Sequence, residues 1–390
     1  MSPSIGTFNV WGLPEPFTED LSARMSALAA RLLGLDLDVL LIQEAWTDEV
    51  RARLREGALR AGFEVAEAAE APGGGLMVLS RRPIRSSRFE RFGFRGDPER
   101  ITKGEFFGGK GFQTVTVDEE DGGRLSIVNT HLHARYRRAR PRLNSAVRTA
   151  QLLQLVGAVD RLEGAAILGG DFNCTPGDPE YRIFVELTGA REVGSPAGSH
   201  PTISRANYYK RGREDPDKRV DHLFVRAAGR GWEASEQRLL FAEPVRIRGG
   251  ARSLSDHFGF RARIRIDRLA PELAAREALQ TARPSPETLD LARRLLGEGR
   301  AEVNRRERKH FWHAGAWVGT AALAAGLRRR SPIDRRRFLR GTAGLIAGLS
   351  LAPAFGYTTL ARLDSDYKRE AFDQAQAVLS DLHSASDRSA

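Results

Sequence analysis

Residues 165–173 read Ala165-Ala166-Ile167-Leu168-Gly169-Gly170-Asp171-Phe172-Asn173, an apolar run that ends in two glycines, then an acid and an amide two positions apart. Side chains alternate faces along a strand, so positions 171 and 173 point the same way at the mouth of a buried strand. An acid and an amide placed there can share a metal-bound water or a phosphate oxygen. Ser255-Asp256-His257 repeats the arrangement beside another apolar run. Both pairs point to metal-assisted phosphoryl chemistry.

Outward from this stretch, the first ~265 residues alternate short apolar runs with helical periods and turn residues, the texture of an α/β domain. Strands are predicted over 6–10, 39–44, 75–80, 111–117, 125–130, 165–170, 219–225 and 257–266, and helices near 20–34, 47–61 and 143–163. Several strands are apolar throughout and so are buried on both faces. They outnumber what a simple doubly wound sheet uses, which favours two sheets packed face to face with helices outside.

At 390 residues, the chain is long enough for one large domain and an appendage. Its formal net charge of +11 would suit nucleic acid or an anionic membrane, but about +9 of it falls between residues 300 and 340. A nuclease groove needs its basic residues on the catalytic face, so this distribution argues against nucleic acid. Cys174 is the sole cysteine, which excludes an intrachain disulfide and gives no sign of an oxidising compartment. The N-terminus shows no basic head and apolar core, so no cleaved secretory signal is expected and the catalytic domain is placed on the cytoplasmic side.

The character changes after the last predicted strand. The expected division is a catalytic domain over 1–268, a helical stalk over 269–310, an apolar helical hairpin over 311–361 and a short amphipathic tail over 362–390. Two Ala/Gly-rich runs, 311–327 and 342–360, flank Arg328-Arg329-Arg330 and Arg335-Arg336-Arg337. They sit at the short end of what crosses a ~30 Å hydrocarbon core. Trp312, Trp317 and Tyr357 near their ends suit a membrane interface, and Gly315, Gly319, Gly344 and Gly348 would allow close helix approach. A membrane-associated or transmembrane hairpin is therefore expected, and a soluble hairpin packed on the domain or on a second copy is its rival.

Candidate site residues end other strands. Asn9 and Glu44 close the first two, on the same rim as Asp171. Mg²⁺ prefers oxygen ligands, and Mn²⁺ can replace it, so Glu44 is the expected ligand, with Asn9 and Asp256 supporting the metal region. Thr130-His131-Leu132-His133 supplies two imidazoles, of which His131 is placed to donate to a phosphoryl oxygen. Zinc is the competing reading of two histidines and an acid, but the surroundings are rich in amides and lack thiolates. Asp221 and His257 read as a base and the carboxylate that orients it.

Taken in order, Asn9, Glu44, His131, Asp171 with Asn173, Asp221, and Asp256 with His257 resemble the endonuclease/exonuclease/phosphatase superfamily, or DNase I-like fold. Within it, Asn9-Val10-Trp11-Gly12-Leu13-Pro14, Gln43-Glu44-Ala45-Trp46, Leu254-Ser255-Asp256-His257 and the segment Gly104-Glu105-Phe106-Phe107-Gly108-Gly109-Lys110-Gly111 are similar to the neutral sphingomyelinases. The resemblance implies a four-layer sandwich of two mixed sheets with outer helices, Mg²⁺-dependent phosphodiester hydrolysis, and a sphingolipid or phospholipid substrate. Lys110 fits a lysine beside the active site, while Glu105 stands where aspartate is common. In one mammalian member a membrane-spanning pair follows the catalytic domain, as the hairpin does here. The expected reaction is water attack assisted by His257, Asp221, Asp171, His131, Asn173 and Lys110. A nuclease and a phosphoinositide phosphatase are the enzymatic alternatives, with Arg135 to Arg142 as a phosphate track; a non-catalytic membrane scaffold is the alternative of another class. Self-association through the hairpin is a further expectation.

Overall fold

The computed structural model describes residues 2–68, 74–94, 109–119, 122–135, 141–194, 199–267, 284–330 and 336–388. One six-stranded sheet has the order β11 (Gly231–Leu240), β14 (Gly259–Asp267), β1 (Ser4–Asn9), β2 (Val39–Gln43), β4 (Met77–Ser80), β3 (Glu64–Glu67). The other has the order β5 (Ile84–Arg91), β6 (Gly111–Asp118), β7 (Arg124–His131), β8 (Ala166–Asp171), β10 (Asp221–Arg226), β9 (Arg191–Glu192). Each is mixed, with a single parallel pair near its centre, β1 with β2 and β7 with β8. A small ribbon of β12 (Val245–Ile247) and β13 (Gly250–Arg252) stands apart.

Period-two alternation explains why two sheets stack. Val39 and Leu41 of β2 face inward and meet Ile127, Ile167 and Leu223 from the second sheet, while Leu40 and Ile42 face outward. The outward residues pack on Met25 and Leu28 of α1 (Leu21–Leu32) and Leu54 of α2 (Asp48–Arg60). Leu168 of β8 instead packs on Leu152 and Leu155 of α3 (Pro141–Asp160) and Phe184 of α4 (Pro179–Thr188). The result is the expected four layers. Strands clad on both faces need no polar side, which is why β2 and β8 read as continuous apolar runs.

Edge strands are where sequence reading fell short. β5 carries Arg85, Ser86, Ser87 and Arg88 exposed along one stretch, and β11 is half polar. Neither strand shows a continuous apolar run, because an edge strand has little core to face.

Beyond the sandwich lie α5 (Pro286–Arg330) and α6 (Arg336–Arg388), paired antiparallel, with Arg300 bonded to Asp373 and Arg369 to Asn304. The stretches read as stalk, hairpin and tail therefore run on as two long helices, while 268–283 and 331–335 lie outside the described residues. Pro286 begins α5, where its missing N–H costs nothing. Leu289, Leu296, Phe372 and Leu379 pack on Ala146, Ala150 and Leu153 of α3. One expectation is corrected: among the described residues no helix is long and apolar enough to cross a membrane.

Candidate active site

Strand register builds the site. His131 of β7 pairs with Asp171 of β8, and Asp171 pairs in turn with Asp221 of β10, so three functional side chains form one row at the rim. Gly170 permits it: φ is +138°, and a Cβ there would stand 1.9 Å from the Thr130 carbonyl oxygen. The opposing sheet contributes Asn9 from the end of β1, and Glu44 one residue beyond β2 at φ +63°. Gln43 and Asn129 bolt the sheets together beneath the row, Gln43 donating to Asn129 Oδ1 at 2.7 Å and Asn129 to the Ile42 and Met77 carbonyls.

The Asn9 amide donates to Glu44 Oε1 and to Asp171 Oδ2, at 3.0 Å each, and its carbonyl accepts from Trp11 N. It therefore clamps the two acids together across the sheets. His131 Nε2 lies 3.5 Å from Asp171 Oδ2 and 3.7 Å from Glu44 Oε1. Trp46 packs against the His131 ring and donates to Glu44 Oε2. Asn173, at φ +51°, donates its backbone N–H to Asp171 Oδ1 and its amide to the Leu132 carbonyl. Lys110 Nζ donates to the same carbonyl at 2.9 Å, which brings its charge to the row. Glu105 lies outside the described residues.

His257 sits in the loop before β14, and its Nδ1 is 2.9 Å from Asp221 Oδ2. With Asp221 accepting at Nδ1, Nε2 is the nitrogen left to take a proton. Burial alone would depress the imidazolium, but Asp221, Asp256 and Asp171 outweigh it and raise His257 to about 9. Asp171 is pushed up to about 7 by burial and by the neighbouring Asp221 charge. Glu44 is also raised, by burial first and then by Asp256.

Four further residues were not anticipated from the sequence. Lys210, in a short 3₁₀ turn, is buried in an ion pair with Asp256, which it holds below the usual carboxylate range against the effect of burial. Asn207 opens that turn and donates to the Ser255 carbonyl at 2.9 Å. Arg24 is fully buried and donates to the Val10, Trp11 and Leu254 carbonyls, tying the loop after β1 to the loop that carries His257. Glu192 takes Arg219 and His222 in a buried cluster behind the row. Each is defined by partners distant in the chain, whether it stands on α1, on β9 or in a turn, and such partners leave no local signal. The backbone N–H of His133 donates to Gln151 Oε1 at 2.9 Å.

The donor set fits a hard divalent cation. Candidate ligand atoms of Glu44, His131 and Asp171 lie within 4.8 Å of one another, and a second such group is formed by Asp171, Asp221 and His257. Four carboxylates, those of Glu44, Asp171, Asp221 and Asp256, face Lys110, Lys210, His257 and, for Glu44 and Asp256, Arg24 as cations. Burial first, and a neighbouring carboxylate second, raise Glu44 and Asp171, and an oxygen-seeking cation beside Glu44 would favour their charged forms. Asp256, spoken for by Lys210, acts on the site through its field.

A four-layer sandwich with acid, amide and imidazole groups gathered on one rim defines the DNase I-like class. Residues 6–257 match the Endonuclease/Exonuclease/phosphatase family, and the chain belongs to it. It is 29% identical over 280 residues to a Drosophila melanogaster protein carrying the provisional name neutral sphingomyelinase, across 69% of this chain and 62% of that protein. It is 31% identical over 187 residues to the inositol phosphosphingolipids phospholipase C of Schizosaccharomyces pombe, across 46% of this chain and 42% of that one. The chain thus spans less than two thirds of the length of these relatives. A Staphylococcus aureus beta toxin mutant with bound magnesium ions has the same fold, with a TM-score of 0.56 at 15% identity over 67% of this chain and 99% of that one.

Proposed function

We propose that this protein is a divalent-metal-dependent phosphodiesterase that hydrolyses a sphingolipid at a membrane surface, sphingomyelin foremost, giving ceramide and phosphocholine. The observation that carries the chemistry is the His131, Asp171, Asp221 row with His257 hydrogen-bonded to Asp221. The lipid substrate is supported by the names of the relatives. Membrane contact through α5 and α6, and Mg²⁺ as the ion, belong to the same proposal.

Water is the nucleophile. Asp171 accepts a hydrogen bond from it and aims it, and His257 Nε2 removes its proton while Asp221 steadies the imidazolium that forms. The new P–O bond forms as the bond to the ceramide oxygen breaks; that oxygen leaves with the bonding pair and takes a proton from solvent. His131, Asn173 and Lys110 stand where charge accumulates on the phosphoryl oxygens, and preorganised donors of this kind are worth about 3–4 kcal/mol each. Glu44 would hold the metal, which supplies Lewis-acid stabilisation of the same charge when bound.

Detergent-dispersed sphingomyelin, inositol phosphosphingolipid and plasmid DNA, offered to one preparation with Mg²⁺, test the assignment. Release of the phosphorylated head group is expected. Plasmid cleavage without lipid turnover would transfer the same machinery to nucleic acid.

A further inference from the structure

β10 presents Asp221 and His222 to opposite sides of its sheet, because side chains alternate along a strand. Leu223 and Val225 lie between the two sheets, while Phe224 packs on Phe184 of α4. Asp221 shares the first side and holds His257; His222 shares the second and is wholly buried there. His222 takes no part in the proton transfer, yet both its ring nitrogens are engaged. Nδ1 lies 2.5 Å from Glu192 Oε1, and Nε2 lies 2.9 Å from the carbonyl oxygen of Cys174. A carbonyl oxygen only accepts, so Nε2 carries a hydrogen and donates it. Glu192 is fixed in turn by Arg219 and by the Tyr181 hydroxyl, which donates to Oε2 at 2.6 Å. Phe172, edge-on at 84°, and Tyr181 wedge the ring in place.

The carbonyl that His222 holds belongs to the residue after Asn173. Asn173 stands at φ +51°, a left-handed conformation that is rare outside glycine and that asparagine tolerates best. The turn from β8 to α4 keeps it there through anchors on both sides. Before it, the Phe172 N–H donates to the Val220 carbonyl; after it, the Thr175 N–H and hydroxyl both donate to Asp178 Oδ2 at 2.8 Å. The Cys174 carbonyl on His222 is the anchor between them. With the backbone so fixed, the Asn173 amide reaches the Leu132 carbonyl at 3.1 Å, the oxygen that also takes Lys110 Nζ at 2.9 Å. An amide carries two N–H hydrogens, so Asn173 can hold Leu132 and a phosphoryl oxygen together.

We infer that His222 is a positioning residue for the hydrolysis: by holding the Cys174 carbonyl, it fixes the turn that aims the Asn173 amide at the phosphoryl oxygen. Asp221 and His222 thus serve one reaction from the two faces of β10, the first aiming the base and the second aiming a charge-stabilising donor. The inference rests on the phosphodiesterase reading above, and not on the identity of the lipid.

Amide side chains separate the two contacts of the ring. Glutamine places its amide where Nε2 stands and asparagine where Nδ1 stands, so H222Q keeps the donor to Cys174 and H222N keeps only the donor to Glu192. In both, Glu192 retains Arg219 and Tyr181, so no buried carboxylate is stranded. Each protein is assayed with Mg²⁺ on bis(p-nitrophenyl) phosphate and on detergent-dispersed sphingomyelin, with circular dichroism to establish folding. H222N should lose kcat by about 10-fold or more with KM little changed, and H222Q should recover most of it. E192Q, which still offers an oxygen to Nδ1, should keep most of its kcat although it is the less stable protein. N173A should lose about 10²-fold, and H222N added to it should cost nothing more, since both act through one amide. Cys174 is the sole cysteine, so isotopic labelling of the cysteine carbonyl carbon gives one NMR resonance for this position. That resonance should move in H222N and stay in H222Q.

A wild-type rate in H222N, an H222Q as slow as H222N, additive losses with N173A, or an unfolded H222N would make His222 a structural strut and overturn the inference. So would a kcat lost in E192Q as fully as in H222N. Wild-type turnover of the aryl diester without sphingomyelin would overturn the lipid and leave the test of His222 intact. Turnover of neither would overturn the phosphodiesterase reading, and this role with it.

Discussion

His257 Nδ1 and Asp221 Oδ2 are 2.9 Å apart in a buried pocket, although 36 residues separate them in the chain. β10 delivers the carboxylate and the loop before β14 delivers the ring. The pairing fixes the tautomer, and a positioned base of this kind contributes about 10²–10⁴-fold. H257A should lose that factor in kcat, and D221N about 10²-fold with KM little changed. Steady-state assays on detergent-dispersed substrate measure both, and a D221N enzyme as fast as wild type would exclude the orienting role.

Lys210 neutralises Asp256 next to the base. In K210M that carboxylate acts uncompensated, which favours the imidazolium of His257 and moves the ascending limb of the pH–rate profile to higher pH. Activity at neutral pH should fall about 10-fold, equivalent to about 1.4 kcal/mol, with K210R retaining most of it. An unshifted profile in K210M would reduce Lys210 to a packing residue.

A cation that binds beside Glu44 binds the folded state only. Mg²⁺ at about 100 times its dissociation constant should stabilise the protein by about 2.7 kcal/mol, seen as a rise in Tm. E44Q should abolish the rise and the activity together. A Tm gain that survives in E44Q would place the ion elsewhere.

Glu192 is a stability element. Burial alone would raise its pKa, but His222, Arg219 and Tyr181 hold it below 4.5. A depressed carboxylate contributes stability that is full above its unfolded value and lost as pH falls through the folded one. Melting curves from pH 7 to 3 should therefore drop below about pH 4.5, less steeply in E192Q. The same variant should be destabilised at pH 7 by about 3–5 kcal/mol, since Arg219 is left buried without its charge partner.

Much of the sandwich was legible because strands covered on both faces are continuous apolar runs, as in 39–43 and 166–168. Asp171, Asp221 and His257 were legible because each follows or begins such a run. Lys210 and Arg24 were not, since a buried cation, in a turn or on α1, is defined by distant carbonyls and carboxylates that no local pattern reveals. The helical pair was visible as composition, but its packing on α3 through Leu296, Phe372 and Leu379 depends on contacts that no local pattern reveals. The edge strands β5 and β11 escaped for the converse reason, having too little buried surface to pattern their sequences.

The most direct test of the central claim is head-group release from detergent-dispersed sphingomyelin by wild type and H257A in parallel, with Mg²⁺ and after EDTA. The account predicts phosphocholine from wild type with Mg²⁺ alone, and a rate at least 10²-fold lower for folded H257A. Equal release by H257A, or undiminished release in EDTA, would contradict it.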